Sequence, residues 1–263
     1  MTQKPFYYLA ELTWPEAQRV RDAQAVVLLP VGATEAHGPH LPLGTDVYLS
    51  EALAKRAAQA LSQQGVTCVI APSLAYAVTE FGAPFAGTVS LDPDAATALY
   101  TAVCAGLHRS GFERVCIVNS HLEAAHVTAL RAATAAVFAK TGRRVAFADN
   151  TERRWARTLT DEFKRGTCHA GSYETSLLLA AQPQLVRSEV ARALPENESD
   201  FLAAVKQGAG TFPDAGGPQA YFGQPATASL AEGEDTYERL VAMVVATIQE
   251  AWPALFSATS PVE

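Results

Sequence analysis

The chain has 263 residues, of which 49% are hydrophobic and 18% charged, a globular composition with enough apolar material for one well-buried core. Its formal net charge of -7 comes with no Lys/Arg cluster, which argues against nucleic acid and anionic membrane as partners and for a small or neutral substrate. No apolar stretch approaches the roughly 20 residues that span a bilayer. Residues 1–11 lack the charged-then-apolar layout of an export signal. Cys68, Cys104, Cys116 and Cys168 are scattered without paired spacing, so the expectation is a reduced, cytoplasmic protein with neither disulfides nor a thiolate metal site.

The first element in chain order is the continuous apolar run Val26–Val31, short enough for a strand buried on both faces. A polar, Gly/Pro-rich loop over residues 32–45 follows it. A helix is predicted over 47–63, with Leu49, Leu53, Ala57 and Leu61 on one stripe and Gly65 as its stop. Residues 66–71 read as a second strand and 72–91 as an irregular segment. Asp92 stands where it can cap a helix over 93–109, near whose end His108 reads as a surface residue. A third strand over 114–118 precedes a helix over 125–140 that Gly142 terminates, and 144–148 is the fourth strand. Helices over 173–181 and 233–252 complete the pattern. Strands alternating with helices predict an α/β fold with a mostly parallel sheet and helices on both faces. No internal repeat or long linker divides the chain, so 1–263 reads as a single domain. The Gly/Pro-rich segment 195–225 reads either as a surface excursion or as a subunit contact.

The loop after the first strand carries Glu35, His37, His40 and Asp46. In an open α/β sheet, ligands bind beyond the carboxyl ends of the strands, where this loop begins. Glu35 and His37 are two apart, so in an extended segment both side chains point the same way. The prolines and glycines between them and Asp46 allow the chain to turn back. The third strand ends in the same manner, with His121 and Glu123 two apart after Asn119-Ser120. Two strands that each deliver an imidazole and a carboxylate would place four ligands around one crevice, with Asp46 as a fifth. A loop hydrogen-bond network is the alternative for either pair alone; two pairs at equivalent positions favour convergence on one site. Two imidazoles and three carboxylates without sulfur suit Zn²⁺ or Mn²⁺. Five ligands, one of them bridging, suit two divalent ions, which can hold a hydroxide between them and polarise a carbonyl. The chemistry indicated is hydrolysis.

A third group is His169 with Glu174 at the start of a predicted helix. His169 is either a proton donor to a leaving nitrogen or a helix-cap residue. Glu174 alternatively serves a backbone amide or a metal-ligating imidazole. His40 reads as a hydrogen-bond partner behind the ligands. His126 reads as facing the pocket or as a capping or surface residue. Thr79 is either a substrate contact or a loop hydroxyl bonded to backbone.

The stretches over residues 29–54, 119–126 and 169–180 resemble three signature blocks of the creatininase family, with weaker echoes over 81–92 and 223–233. The resemblance extends from Leu12 to about Gly233, and the first block, Glu-x-His-Gly-x-His-Leu-Pro with Asp46 six residues after His40, is its most specific part. It implies a three-layer αβα sandwich and metal-dependent hydrolysis of a small amide, cyclic amide or formamide. It further implies a homo-oligomer, often a hexamer. Glu35 and His121 would hold one metal and His37 and Glu123 the other, with Asp46 bridging. His169 would shuttle the proton, with Glu174 as its companion and Glu123 also taking part in catalysis.

Departures from the family pattern fall at substrate-facing positions. The creatinine-hydrolysing members have an aromatic residue in the place of Leu122, and a tryptophan and an aspartate in the places of Arg165 and Gly166. Creatinine is therefore not the expected substrate. Arg165 reads either as a contact for a carboxylate or phosphate or as a solvated surface arginine. Leu122, Thr79, Arg165 and His126 are the candidate substrate contacts. A peptide-processing metallopeptidase of the same fold, or an inactive scaffold protein, are the alternatives to a small-amide hydrolase.

Overall fold

The computed structural model describes residues 6–256; residues 1–5, part of the stretch read above for an export signal, and 257–263 lie outside the described residues. The chain enters with a two-residue edge strand, β1 (Tyr7–Tyr8), and helix α1 (Trp14–Asp22), opened by a capping box between Thr13 and Glu16. Neither was anticipated, because two residues show no alternation and α1 buries only Val20. Then come β2 (Val26–Val31), α2 (Thr45–Gln63), β3 (Cys68–Ile70), α3 (Pro93–Arg109), β4 (Arg114–Asn119), α4 (Ala124–Thr141) and β5 (Val145–Ala148). The short helices α5 (Arg153–Ala156) and α6 (Asp161–Arg165) lead to α7 (Ser172–Ala181), α8 (Ser188–Ala193), α9 (Phe201–Lys206) and the long α10 (Leu230–Ala251). The caps behave as the sequence suggests. Asp92 accepts from the amides of Asp94 and Ala95, and Gly142 ends α4 at φ +67°. α10 starts before Gly233, because Ser229 accepts from the amide of Glu232.

The five strands run in the order β1-β3-β2-β4-β5, and every pair is parallel. All six residues of β2 are buried, which accounts for its continuous apolar sequence: a central strand has no solvent face. Alternate strand residues divide between two cores. Val26, Leu28, Cys68, Ile70, Cys116 and Val118 pack with α2, α7 and α10 on one face. Val27, Leu29, Val31, Val69, Val115 and Ile117 pack with α3 and α4 on the other. The result is an αβα sandwich. Among the described residues, no helix is long and apolar enough to cross a membrane.

Two expectations need correction. His108 is not on the surface: it is 1% exposed where α3 ends, and neither ring nitrogen has a hydrogen-bond partner among the described residues. The segment 195–225 is not a simple surface excursion. Its Phe212 and Phe222 are buried, and with Phe201 they build a third small apolar cluster against Ala36, Phe81 and Phe85.

Candidate metal centre

β2 and β4 are neighbours in the sheet, and their last residues, Val31 and Asn119, are in register. The loops that follow them therefore leave the same sheet edge side by side, although 88 positions separate the partners (119 − 31). Asp46 joins from the first turn of α2, which starts earlier in the chain than the periodicity suggests. α2 abuts the end of β2: a Cβ on Gly32 would lie 2.6 Å from the Asp46 carbonyl carbon and the Val47 nitrogen. Only a glycine permits that approach.

The side chains meet in two groups that share Asp46, beside a third possible donor set of Glu35, His37 and His169. In the first, His121 Nδ1 is 3.1 Å from Glu35 Oε1 and 3.1 Å from Asp46 Oδ2. In the second, His37 Nε2 is 3.2 Å from Asp46 Oδ1 and 3.5 Å from Glu174 Oε2. His37 Nε2 is also 3.8 Å from Glu35 Oε1, so the two groups are contiguous. Glu35, His37 and Asp46 are each 1% exposed. Glu174 is 3% exposed, and three carboxylates buried around two imidazoles are costly unless a positive charge offsets them. Asp46 Oδ2, despite its nearness to His121, has no aligned hydrogen-bond partner among the described residues. Unpaired carboxylate lone pairs facing imidazole nitrogens are what a shared divalent cation would satisfy, so the donor set fits metal ions.

The surroundings hold each donor atom. His37 Nδ1 lies 3.2 Å from the Glu35 carbonyl oxygen and His121 Nε2 lies 2.8 Å from that of Val78, which leaves His37 Nε2 and His121 Nδ1 facing the carboxylates. Thr79 Oγ1 donates to Glu35 Oε2. Burial works against charge on these groups, yet the adjacent carboxylates outweigh it on the imidazoles. His37 is pushed up to about 10, mainly by Asp46, and His121 well above the usual range, mainly by Glu35. Burial likewise opposes ionisation of Asp46, but His37 and His121 hold it far below the usual carboxylate range. Burial dominates at Glu174 and raises it to about 8.

Glu123 is in neither group, although its carboxylate feels the charges of His121 and Glu35. Its carboxylate accepts the Glu80 and Phe81 amides at 3.2 and 3.4 Å, so Glu174 is where the resemblance would put Glu123 as the partner of His37. His169 lies between the His37 ring, 4.5 Å away, and the Phe212 ring, 4.1 Å away and stacked. Its Nε2 is 2.9 Å from the Ala36 carbonyl and its Nδ1 is 3.9 Å from Glu35 Oε1. Burial first, and the His37 charge second, lower His169 to about 4.

The candidate substrate contacts are dispersed. Leu122 is half-buried beside the centre, and Arg165 is exposed at the end of α6. His126 and Thr79 are each 0% exposed and lie behind the donors rather than before them. His126 Nε2 is 2.9 Å from Asn119 Oδ1, and its Nδ1 is 3.2 Å from the Tyr100 hydroxyl. Asn119 in turn bonds the backbone of His121 through both side-chain atoms. His40 is buried, with Nε2 2.9 Å from Thr175 Oγ1 on α7. Asn119, Tyr100 and Phe212 were not singled out from sequence. Asn119 lies within a motif, whereas the contribution of Phe212 arises from an irregular segment with no periodic signal.

Comparison with known proteins agrees with this architecture. The mycofactocin precursor peptide peptidase of Mycolicibacterium smegmatis is 31% identical over 229 residues, covering 82% of this chain and 81% of that protein. The creatinine amidohydrolase of Pseudomonas putida is 34% identical over 122 residues, 44% of this chain and 45% of that protein. The solved structure described as "Creatininase Mn" is 27% identical with a TM-score of 0.74, covering 94% of this chain and 98% of that one. A mutant creatininase of "Zn-Zn type" is 25% identical with a TM-score of 0.72, covering 96% and 100%. The creatininase family model, described as creatinine amidohydrolase, matches residues 10–248. With the two blocks at adjacent strand ends and the shared Asp46 between them, this chain belongs to the creatininase family of amidohydrolases.

Proposed function

We propose that the protein hydrolyses a C–N amide bond with two divalent ions, Zn²⁺ or Mn²⁺. Glu35, His121 and Asp46 would hold one ion, and His37, Asp46 and Glu174 the other. The observation that carries this reading is the pair of donor groups sharing one buried carboxylate. The ions would contribute polarisation of the amide carbonyl and acidification of a water that attacks it. Glu123, at the half-buried rim and held by two backbone amides, would accept a proton from that water at a carboxylate oxygen. The Ala36 carbonyl draws the N–H of His169 to Nε2, which leaves the lone pair on Nδ1 facing the centre. That Nδ1 would take up the proton and pass it to the leaving nitrogen.

Among the described residues the donors are buried, and exposure beside them is found at the His169 side chain, 15% exposed, and at the half-buried Leu122 and Glu123. That geometry suits a small amide or the end of a chain, not the middle of an extended polypeptide. A second reading, processing of a short peptide, is favoured by relatives that match over most of both chains and are described as peptide peptidases. Assembly into a homo-oligomer belongs to the same proposal, to be read by light scattering.

Elemental analysis of the purified protein and of Asp46→Ala tests the metal assignment. About two ions per chain are expected in the parent and loss of both in the variant; full occupancy without Asp46 would end the bridging assignment. A panel of formamide, creatinine and short peptides, scored for released formate, creatine and free amine, separates the two substrate readings.

A further inference from the structure

The backbone beside His169 is held from two sides. Ala170 has φ +49°, in the left-handed region that disfavours any residue with a Cβ and persists only where the surroundings over-determine it. On the metal side, the Ala170 amide donates to Glu174 Oε2 at 2.7 Å. On the far side stands Glu162 of α6, a carboxylate only 7% exposed that belongs to neither donor group. Its Oε1 accepts the amides of Ser172 at 3.0 Å and Gln224 at 2.9 Å, and its Oε2 accepts the amide of Tyr173 at 2.7 Å.

Ser172 and Tyr173 open α7, so the negative charge also faces the positive end of that helix. An ionised carboxylate is an acceptor only, and three backbone donors on it make strong, directional bonds. The chain leaves room for it with two glycines. A Cβ on Gly171 would lie 2.6 Å from both Glu162 oxygens, and one on Gly223 would lie 2.0 Å from Oε1. The two segments joined in this way flank His169, because the Phe222 amide donates to the His169 carbonyl at 2.9 Å. Phe212, stacked on the imidazole, packs on Phe222 with ring centroids 6.0 Å apart.

We propose that Glu162 is a positioning residue for the reaction: from outside the metal centre, its carboxylate ties the turn at 171–173 to the crossing segment at 222–224 and so sets where the His169 ring stands. This rests on the proton-transfer role of His169 given above. One readout is independent of turnover: the ring signals of ¹³C-histidine-labelled full-length protein, recorded with and without Zn²⁺. The His169 signal is assigned by its loss in His169→Gln.

In Glu162→Ala the His169 signal is expected to shift or broaden, while the ring signals that respond to zinc keep their positions and the zinc content is unchanged. On the panel amide turned over fastest, kcat falls roughly 10- to 100-fold with KM unchanged, the scale of a catalytic group displaced by about 1 Å. Glu162→Gln keeps one acceptor oxygen but turns an amide NH₂ towards a backbone donor, and shows a smaller effect of the same kind. A His169 signal and kcat equal to the parent's in both variants would overturn the assignment. So would loss of all histidine signals together with the zinc, because Glu162 would then merely support the fold. If Glu162→Ala does not fold, Glu162→Gln decides between the same outcomes. A parent protein that binds no zinc and cleaves no amide would defeat the proposed function, while the metal-free His169 signal would still report on Glu162.

Discussion

His169 adjoins the metal donors, within reach of Glu35 and His37, but is not part of the two groups that share Asp46. Its Nε2 is committed to a backbone carbonyl and its ring stacks on Phe212 with a tilted contact to His37, so its removal is expected to leave the Asp46-centred groups intact. His169→Ala is therefore expected to retain its metal by elemental analysis and to lose activity by about 10²–10⁴-fold, the usual contribution of a positioned acid or base. Normal turnover in that variant would assign the ring a structural role. The donors themselves predict a pH dependence of metal uptake. In the metal-free protein His37 stays protonated up to about pH 10, because the surrounding carboxylates outweigh the effect of burial. Burial keeps Glu174 protonated up to about pH 8. A divalent ion must displace these protons, so affinity should climb with rising pH from 6 to 8 by roughly tenfold per unit for each proton released. Competition against a chromophoric chelator measures this, and a pH-independent affinity would show that the imidazoles are neutral before metal arrives.

The junction between β2 and α2 is where packing and chemistry meet. The Gly32 Cα lies against the first turn of α2, and any Cβ there would press on the backbone that carries Asp46. Gly32→Ala is expected to cost about 1–3 kcal/mol of stability, as overpacking does, and to lower metal occupancy, because both donor groups depend on Asp46. Denaturant titration and elemental analysis read the two effects separately, and parent-like values in both would mean that the helix start yields easily. The segment 195–225 acts at the same level. Its Phe212 reaches the centre by stacking on His169, so its Gly/Pro-rich composition reflects tight turns around a small apolar cluster.

Substrate choice is expected to follow from the positions that depart from the creatinine-hydrolysing pattern. The positions that differ from the creatinine-hydrolysing members are Leu122, half-buried at the centre, and Arg165 and Gly166 at the end of α6. Loss of an aromatic stack and of a charged hydrogen bond would weaken transition-state binding by about 2–4 kcal/mol, or roughly 30- to 1000-fold in kcat/KM. Steady-state assay with creatinine should accordingly show weak turnover or none; efficiency equal to a dedicated creatininase would mean that these positions do not govern selection.

Much of this is legible in the sequence. Val26–Val31 is apolar throughout because a strand flanked by two others and covered on both faces has no polar side to show. Glu35 and His37 declared themselves by spacing, as did His121 and Glu123, because a period of two is a local property of extended chain. What could not be read was which donors share an ion. Glu174 meets His37 because α7 packs against α2, and Glu123 turns to the Glu80 and Phe81 amides because the 72–91 segment crosses its path. His126 and Thr79 have the side chains of substrate contacts, yet they lie behind His121 and Glu35, where burial turns them into supports. Spacing along the chain reports which side of a strand or helix a residue takes. Whether that side faces the crevice or the wall behind it depends on non-local packing, which no window of neighbouring residues encodes.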